Sequence, residues 1–159
     1  MPLRIRAAKS TEVGTILQLV RGLADYENLS HEVTASEERL QAALFPTNGK
    51  PIVECLLAWE GSDPAGFAVF FTNFSTFLAL PGIYLEDLYV RPDKRGRGIG
   101  KKLISRVARI ACKRGCGRLE WSVLAWNKPA IRFYESIGAK HRPDWNLCRL
   151  EGPALSRFA

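Results

Sequence analysis

Residues 83–112 read IYLEDLYVRPDKRGRGIGKKLISRVARIAC, a predicted strand followed by a basic glycine-rich loop and a long amphipathic helix. The centre of the loop is Arg95-Gly96-Arg97-Gly98-Ile99-Gly100. Glycine lets backbone N–H groups approach a ligand closely, and a helix that begins near Ile99 adds the positive end of its dipole. The stretch therefore predicts an anion site, most naturally one for a phosphate or pyrophosphate.

Three phosphate-binding patterns compete for this loop. A P-loop requires G-x-x-x-x-G-K-[ST], but Lys102 follows Gly100-Lys101, and Arg95 stands where the first glycine is needed. A dinucleotide fingerprint would have Lys101 in place of its third glycine, although Glu120 lies about the right distance downstream for a ribose contact. That alternative stays open, whereas the pattern R-x-x-G-x-G is met in full by Arg95, Gly98 and Gly100.

The composition is that of an ordinary globular protein. The 159 residues, 47% apolar and 25% charged, fit one domain that spans residues 1–159. The apolar runs are too short for a membrane span, and the N-terminus lacks the apolar core of a signal peptide, so we expect a cytoplasmic protein without a membrane partner. Cys112-x-x-x-Cys116 has no histidine near it, so we expect reduced cysteines and no metal.

The net charge of +7 is concentrated in one block of the sequence. Residues 1–90 carry a net charge of −5, residues 91–118 carry +10, and residues 119–159 carry +2. A polyphosphate ligand would explain a basic block around the glycine-rich loop, and nucleic-acid binding would also predict it. The sequence has no RNP aromatic signature and no recognition-helix module, so we expect no nucleic-acid partner.

Apolar periodicity and turn signals predict ten secondary-structure elements. Strands are predicted at residues 3–7, 53–59, 66–74, 83–90, 118–125 and 145–150, and helices at residues 11–25, 34–45, 99–114 and 127–137. The order β-α-α-β-β-β-α-β-α-β predicts an α/β fold, with a mixed, mainly antiparallel sheet and helices on both faces. A right-handed crossover should join the strands that flank the long helix.

Two adjacent acids lie in the strand before the loop. Side-chain alternation predicts that Glu86 and Asp87 face opposite sides of the sheet, so one of them points into the core or a ligand cleft. An amine has a pKa of about 10 and must lose a proton before it can act as a nucleophile. A carboxylate is a suitable acceptor, directly or through water. Glu86 is therefore a candidate base, with a structural salt bridge or an exposed edge charge as the alternative.

A second group of candidates follows the spacing N-x-x-A-x-x-x-Y. Asn127, Ala130 and Tyr134 would lie on one side of a helix. Ala130 permits close approach, Asn127 can bond an amide-bearing arm, and Tyr134 offers a hydroxyl group. The alternative is that Tyr134 is simply a core residue of an amphipathic helix.

These motifs resemble those of the GNAT superfamily of N-acetyltransferases, and the resemblance covers nearly the whole chain. The pattern R-x-x-G-x-G is similar to the superfamily's acetyl-CoA pyrophosphate loop. The match extends to the diamine (spermidine/spermine) N-acetyltransferase branch, which includes thialysine-acetylating relatives. It is carried by Leu23-Ala24-x-Tyr26-Glu27, Tyr84-Leu85-Glu86-Asp87, Arg95-Gly96-x-Gly98-Ile99-Gly100 and Trp126-Asn127-x-Pro129-x-Ile131-x-Phe133-Tyr134.

The resemblance implies an acetyl-CoA-dependent enzyme, a GNAT fold and a homodimer. It implies that Glu86 is a water-assisted base, that Tyr134 protonates the leaving thiolate, and that Asn127 contacts the pantetheine-pyrophosphate arm. The predicted cofactor-binding residues are Leu88, Tyr89, Val90, Arg95, Gly96, Arg97, Gly98, Ile99, Gly100, Asn127, Ala130 and Tyr134. The predicted substrate-binding residues are Tyr26, Glu27, Glu86, Glu120, Trp121, Ser122 and Asp144. A homodimer would allow Tyr26-Glu27 to act across the interface.

The expected substrate is a small cationic amine, either a diamine or polyamine or a lysine-like amino acid such as thialysine. Asp144 is the available counterpart of the branch's acidic substrate contact near the C-terminus, but its neighbours Lys140, His141 and Arg142 are unfavourable for a polycation. The alternatives are a CoA-binding or nucleic-acid-binding module without turnover, and an enzyme that acts on a protein or peptide amine.

Overall fold

A five-stranded mixed sheet forms the framework of the chain, which the computed structural model describes in full, from residue 1 to residue 159. The strands lie in chain order, β1 to β4 are antiparallel to their neighbours, and β5 is parallel to β4. Their bounds are β1 Leu3–Ala7, β2 Glu54–Glu60, β3 Asp63–Ser75, β4 Leu80–Val90 and β5 Leu119–Glu120. The predicted mixed, mainly antiparallel sheet is therefore confirmed.

Five α-helices accompany the sheet, and their ends follow local sequence signals. They are α1 Val13–Tyr26, α2 Glu37–Leu44, α3 Ile99–Lys113, α4 Lys128–Ser136 and α5 Gly152–Phe158. Ser36 caps α2 by accepting a hydrogen bond from the Arg39 N–H group at 3.2 Å. Asn28, with a φ angle of 59°, follows the end of α1. Single turns of 3₁₀ helix occupy Ser10–Glu12, Ser30–Glu32 and Pro92–Lys94.

Residues 1–122 form one compact unit in which the core lies on both faces of the sheet. On one face, α1 and α2 bury Ile16, Leu19 and Leu44 against strand residues that include Phe67 and Tyr89. The amphipathic helix α3 packs on β3 and β4, and its fully buried residues Leu103 and Val107 are those that the apolar stripe in the sequence predicts.

An irregularity in β4 changes which side chains share a face. Val69 of β3 pairs with Asp87 and Phe70 pairs with Leu85, so Glu86 is an extra residue that forms a β-bulge. Leu85 and Asp87 are two residues apart and would share a face in a regular strand. The bulge places them on opposite faces, Leu85 with buried Phe70 and Asp87 with Val69.

Residues 123–159 form a second compact unit, which carries α4 and α5. Two strand predictions differ from the structure here. The strand predicted at residues 118–125 is restricted to Leu119–Glu120, and the strand predicted at residues 145–150 is wrong. Residues 141–150 are exposed throughout and pair with no strand, since alternation alone cannot satisfy the backbone groups that a strand must pair. A helix follows instead, with Pro153 in its first turn.

No helix in the structure is both long enough and apolar enough to cross a membrane.

We expect Gly66→Ala to destabilise the protein. A Cβ atom at this position would overlap the carbonyl oxygen of Tyr89 and lie 3.1 Å from the Val90 Cα atom, and neither backbone atom can move without disturbing the β3–β4 ladder. Overpacking of this kind costs about 2–3 kcal/mol, which corresponds to a fall in Tm of roughly 5–10 °C. Thermal unfolding followed by circular dichroism measures the change.

Gly14→Ala is the matched control. Its Cβ atom would meet the flexible end of the Glu37 side chain at 3.1 Å, so its Tm should stay close to that of the unmodified protein. Equal Tm values for the two variants would contradict the close β3–β4 approach.

Candidate active site

The glycine-rich loop has the geometry of an anion site. Gly96 and Gly98 have φ angles of 75° and 74°, a conformation that favours glycine. A Cβ atom at either position would meet nothing within 4 Å, so the backbone is open to a ligand. Gly98 immediately precedes α3, and no side chain caps that helix. The first N–H groups of α3 and the positive end of its dipole are therefore available to a phosphate.

Three of the loop's four cations are held by carboxylates. The Lys94 ammonium lies 3.0 Å from Glu60 Oε2 and 2.8 Å from Asp63 Oδ2. Arg97 also reaches Glu60, at 3.2 Å, and Arg91 forms ion pairs with Asp63 and Asp93. The hydrogen bonds from Lys94 are the main reason that the pKa values of Glu60 and Asp63 are lowered. The carboxylates that flank the turn between β2 and β3 thus hold the side of the loop that carries Arg91, Lys94 and Arg97, which we call its outer side.

Arg95 is held differently. Its Nε–H group donates to the Val90 carbonyl oxygen at 2.9 Å, and its guanidinium lies over the ring of Tyr26 at 4.2 Å and near the ring of Tyr89 at 5.8 Å. It forms no ion pair with a carboxylate. Arg95 is therefore the loop cation whose charge is left for an anionic ligand.

The open edge of β4 presents backbone groups beside this loop. β5 pairs with β4 at Ile83 and Tyr84 and at no later residue. The Arg91 N–H group donates to Ala65 on the β3 side, whereas the Ile83 N–H group donates to Arg118 on the β5 side. Since alternate residues of a strand point to the same neighbour, the backbone groups of Val90 and Leu88 face the open edge. The bulge at Glu86 causes the change of phase between the two ends of the strand.

Carboxylates gather where β4 lies beneath the end of α1. Glu86 is exposed at the bulge, whereas Asp87 is half-buried and makes no ion pair or hydrogen bond with a side chain. Burial, followed by the charges of Glu86 and Glu27, raises the pKa of Asp87 to about 7. Burial also raises the pKa of Glu27, which lies at the C-terminal end of α1. An uncompensated negative site of this kind is suited to an ammonium group.

The predicted substrate contacts on β5 and directly after it make interactions within the first unit. Glu120 forms an ion pair with Arg118 at 2.9 Å and accepts a hydrogen bond from Asn73 at 3.5 Å. The hydroxyl group of Ser122 lies 2.8 Å from that of Tyr84. Trp121 is half-buried. These contacts order the strand and its C-terminal end. Glu120 lies opposite Tyr84, well before the end of β4 at Val90, and so not beside the glycine-rich loop.

In the second unit, the spacing N-x-x-A has a local structural role. The side-chain oxygen of Asn127 accepts a hydrogen bond from the Ala130 N–H group at 3.4 Å and so caps α4. Tyr134 lies on the same helix, with its ring 5.3 Å from that of Phe133. Asp144 is exposed and lies 3.6 Å from Arg142. The same spacing that predicts a ligand contact for Asn127 therefore also serves to cap α4.

The cysteines and the basic block offer no further site. Burial is the largest cause that raises the pKa of Cys55 to about 12, so this thiol is unsuited to act as a nucleophile at neutral pH. No group of three or more His, Cys, Asp or Glu side chains could hold a metal ion. Within residues 91–118, five cations form ion pairs with carboxylates: Arg91, Lys94, Arg97, Arg114 and Arg118. Much of the positive charge is thus neutralised inside the protein.

Comparison with known proteins identifies the class. Residues 20–139 match the acetyltransferase (GNAT) family, and the chain belongs to this family. Its sequence is 40% identical to that of thialysine N-epsilon-acetyltransferase from Sus scrofa over 98% of this chain and 96% of that protein. It is 34% identical to L-ornithine N5-acetyltransferase from Arabidopsis thaliana, over 96% of this chain and 86% of the relative. The chain is therefore an N-acetyltransferase, of a family that uses acetyl-CoA as its cosubstrate.

A solved structure supports the same fold. An integron cassette protein from the mobile metagenome of V. cholerae superposes with a TM-score of 0.79 at 29% identity, over 99% of this chain and 98% of that one. The predicted GNAT fold is confirmed.

Two groups of site residues were not predicted from the sequence. Asp87 was noted as an acid but not assigned to the site, although two adjacent acids in an apolar strand are a signal that both need a role. Glu60 and Asp63 lie in a turn far from the loop in sequence, and the pattern of residues gave no sign that they would bind its cations.

We expect Asp87→Asn to stabilise the free protein above neutral pH. The pKa of Asp87 rises from an ordinary value of 3.8 to about 7 on folding, so the folded state keeps a proton that the unfolded state has lost. Stability therefore falls as the pH rises from about 4 to about 7 and is constant above that range. We expect the unmodified protein to lose about 2 kcal/mol of its free energy of unfolding over this range. This is roughly half of the full value for such a pKa shift, because Asp87 still contacts solvent.

Thermal unfolding at pH 4.5 and pH 8 measures this effect. The variant should match the unmodified protein at the lower pH and unfold at a higher temperature at the higher pH. Glu86→Gln removes a charge from the exposed neighbouring side chain and should change Tm much less. A pH-independent difference for Asp87→Asn would rule out the raised pKa.

Proposed function

We propose that this enzyme transfers the acetyl group of acetyl-CoA to a primary amine of a small cationic substrate. The substrate is a diamine or polyamine, or a lysine-like amino acid such as thialysine. The observation that carries this proposal is the half-buried carboxylate of Asp87, whose pKa is raised by burial and by the charges of Glu86 and Glu27, with no cation among the groups that shift it. In a protein of net charge +7, such a site favours an ammonium group over a neutral or anionic substrate.

The fit to acetyl-CoA rests on the loop and the strand that leads into it. The N-terminus of α3 and the loop backbone at residues 95–100 would hold the pyrophosphate, with Arg95 as the unpaired cation. The outward-facing backbone groups of Leu88 and the N–H group of Val90 would pair with the pantetheine arm as a further strand would, while the Val90 carbonyl oxygen holds Arg95. When bound, acetyl-CoA supplies an activated acetyl thioester.

The proposed chemistry is direct attack of the amine nitrogen on the thioester carbonyl. Glu86 would receive the amine proton, directly or through water, because its exposed carboxylate at the bulge can exchange protons with solvent. Asp87 would hold the ammonium form, since a bound cation lowers a carboxyl pKa and keeps the group ionised. Tyr134 would protonate the leaving thiolate, as the family resemblance implies.

The names of the relatives favour one class of amine over the other. The names of two relatives specify the side-chain amines of thialysine and ornithine, both short amino acids. A long polyamine would need Asp144 as its second acidic contact, but this carboxylate is paired with Arg142 and has basic neighbours. We therefore expect lysine-like amino acids to be better substrates than spermidine or spermine.

A panel of amines tests the proposed activity. Release of free CoA thiol is measured with thialysine, ornithine, lysine, putrescine, spermidine, spermine and a basic peptide, each with acetyl-CoA. We expect turnover with the short amino acids to exceed that with the polyamines. The exposed Cys112 and Cys148 react with thiol reagents, so reactions without amine provide the blank. Turnover of the peptide alone would replace the small-amine proposal.

We expect Glu86→Gln to lower kcat by about 100-fold near pH 7, the scale of lost general-base catalysis. The loss should shrink as the pH rises towards the pKa of the amine, because less of the substrate then needs deprotonation. Rates from pH 6 to pH 10 measure this. Glu135→Gln, an exposed glutamate on α4, is the control and should behave as the unmodified enzyme. A loss that is the same at every pH would argue against Glu86 as the base.

We further propose a homodimer, on the basis of the family resemblance. Light scattering coupled to size-exclusion chromatography tests it, and a mass near the 17.8 kDa of one chain would contradict it.

A further inference from the structure

Arg95 connects two parts of the molecule that the proposed function assigns to different ligands. Its side chain belongs to the loop that would hold the pyrophosphate, yet its guanidinium lies 4.2 Å above the ring of Tyr26, next to Glu27 at the proposed amine site. Tyr26 is the last residue of α1, whereas Arg95 follows β4. The contact therefore joins the end of one helix to the loop that begins another.

The geometry of this contact leaves Arg95 able to bind a phosphate. A guanidinium that stacks on an aromatic ring uses its face, and its N–H donors remain in the plane of the group. The Nε–H group donates to the Val90 carbonyl oxygen, which leaves the terminal N–H groups for an anion. Stacking on Tyr26 and binding to a pyrophosphate are thus compatible, and the stack holds the guanidinium in one orientation before the ligand arrives.

The surface beneath Arg95 is tightly packed. Tyr89 is 6% exposed and packs edge-on against Phe67, with ring centroids 6.2 Å apart. Its hydroxyl group lies against Gly22, one helical turn before Tyr26, where a Cβ atom would come within 2.8 Å of that oxygen. The absence of a side chain at Gly22 thus allows the Tyr89 ring to fit beneath Arg95 and beside α1. Arg95 therefore lies on a packed surface formed by the rings of Tyr26 and Tyr89.

We propose that the Arg95–Tyr26 stack couples the acetyl-CoA site to the amine site, so that each ligand tightens the binding of the other. Acetyl-CoA fixes Arg95 through its pyrophosphate and thereby fixes the Tyr26 ring beside the amine. An amine that orders the end of α1 steadies Arg95 in return, because such coupling is reciprocal. The proposal rests on the proposed function in placing the amine beside Tyr26 and Glu27.

A double-mutant cycle on CoA affinity tests the stack without any amine or turnover. The Kd of CoA is measured by calorimetry for the unmodified enzyme, Tyr26→Leu, Arg95→Ala and the double variant. Tyr26→Leu should weaken CoA binding by about 2- to 5-fold, the scale of an exposed cation–π contact. In the Arg95→Ala background the same change should have no further effect. Tyr26→Phe keeps the ring and removes only the hydroxyl group, so it should weaken CoA binding less than Tyr26→Leu does.

A second measurement addresses the amine. The Kd of thialysine is measured with and without saturating CoA, and CoA should tighten thialysine binding in the unmodified enzyme but not in Arg95→Ala, which leaves Tyr26 and Glu27 in place. Equal tightening in both proteins would overturn the coupling. So would an effect of Tyr26→Leu on CoA that persists without Arg95, or no effect at all in variants whose Tm shows that they are folded.

The two proposals fail in distinguishable ways. If thialysine and the other amines of the panel neither bind nor react, the proposed substrate is wrong and the coupling to it falls with it. The CoA cycle still decides whether Tyr26 orients Arg95. If amines are acetylated while CoA and amine bind independently, the proposed function stands and the coupling is wrong.

Discussion

One extra residue in β4 determines which side chains of this strand enter the core and which of its backbone groups face the open edge of the sheet. The bulge at Glu86 lets Leu85 enter the core on one face while Asp87 lies under α1 on the other. The same shift of phase turns the backbone groups of Leu88 and Val90 to the edge that β5 leaves open. A regular strand could not place Leu85 and Asp87 on opposite faces and also turn Leu88 and Val90 to the open edge. The extra residue does so because a one-residue change in register moves every later side chain and peptide group to the opposite side. The core, the carboxylates and the open edge therefore depend on a single local irregularity.

Charge is arranged so that the loop is ordered without losing its positive potential. Glu60 and Asp63 neutralise the cations on the outer side of the loop, and the part that faces the ligand keeps Arg95 and the N-terminus of α3. Self-repulsion among cations spaced one to three residues apart would otherwise disorder the loop before an anion arrives. The negative site at Asp87 lies on the preceding strand. Opposite potentials thus lie a few residues apart, an arrangement that would suit the proposed anionic cosubstrate and cationic amine.

The parts of this structure that sequence predicts well are those fixed by local chemistry. The glycine spacing at residues 96–100, the apolar stripe of α3 and the turn between β2 and β3 all depend on residues close together in the chain, and they are present where the sequence predicts them. Most of the sheet could be predicted for the same reason. The strand pattern and the chemistry of an amine made Glu86 a candidate base. The family resemblance supplied the role proposed for Tyr134, which no local pattern could assign.

The features that sequence did not predict depend on contacts between distant residues or on the absence of a partner. A bulge at Glu86 is visible only once the register with β3 is known, because regular alternation would place Leu85 and Asp87 on the same face. Lys94 and Glu60 are 34 residues apart in the chain. The segment 145–150 alternates as a strand does, but it has no neighbour to pair with. The cap formed by Asn127 shows that one spacing can serve a helix end as well as a ligand.

The burial of Cys55 has a consequence for the chemical durability of the enzyme. Cys55 pairs with Val69, which pairs with Asp87, so its thiol lies two strands from the carboxylate on the same face of the sheet. Oxidants and alkylating agents attack the thiolate form, and a thiol with a pKa of about 12 has almost none of it at neutral pH. The core beneath the acidic site should therefore survive oxidative stress that modifies the exposed Cys112 and Cys148.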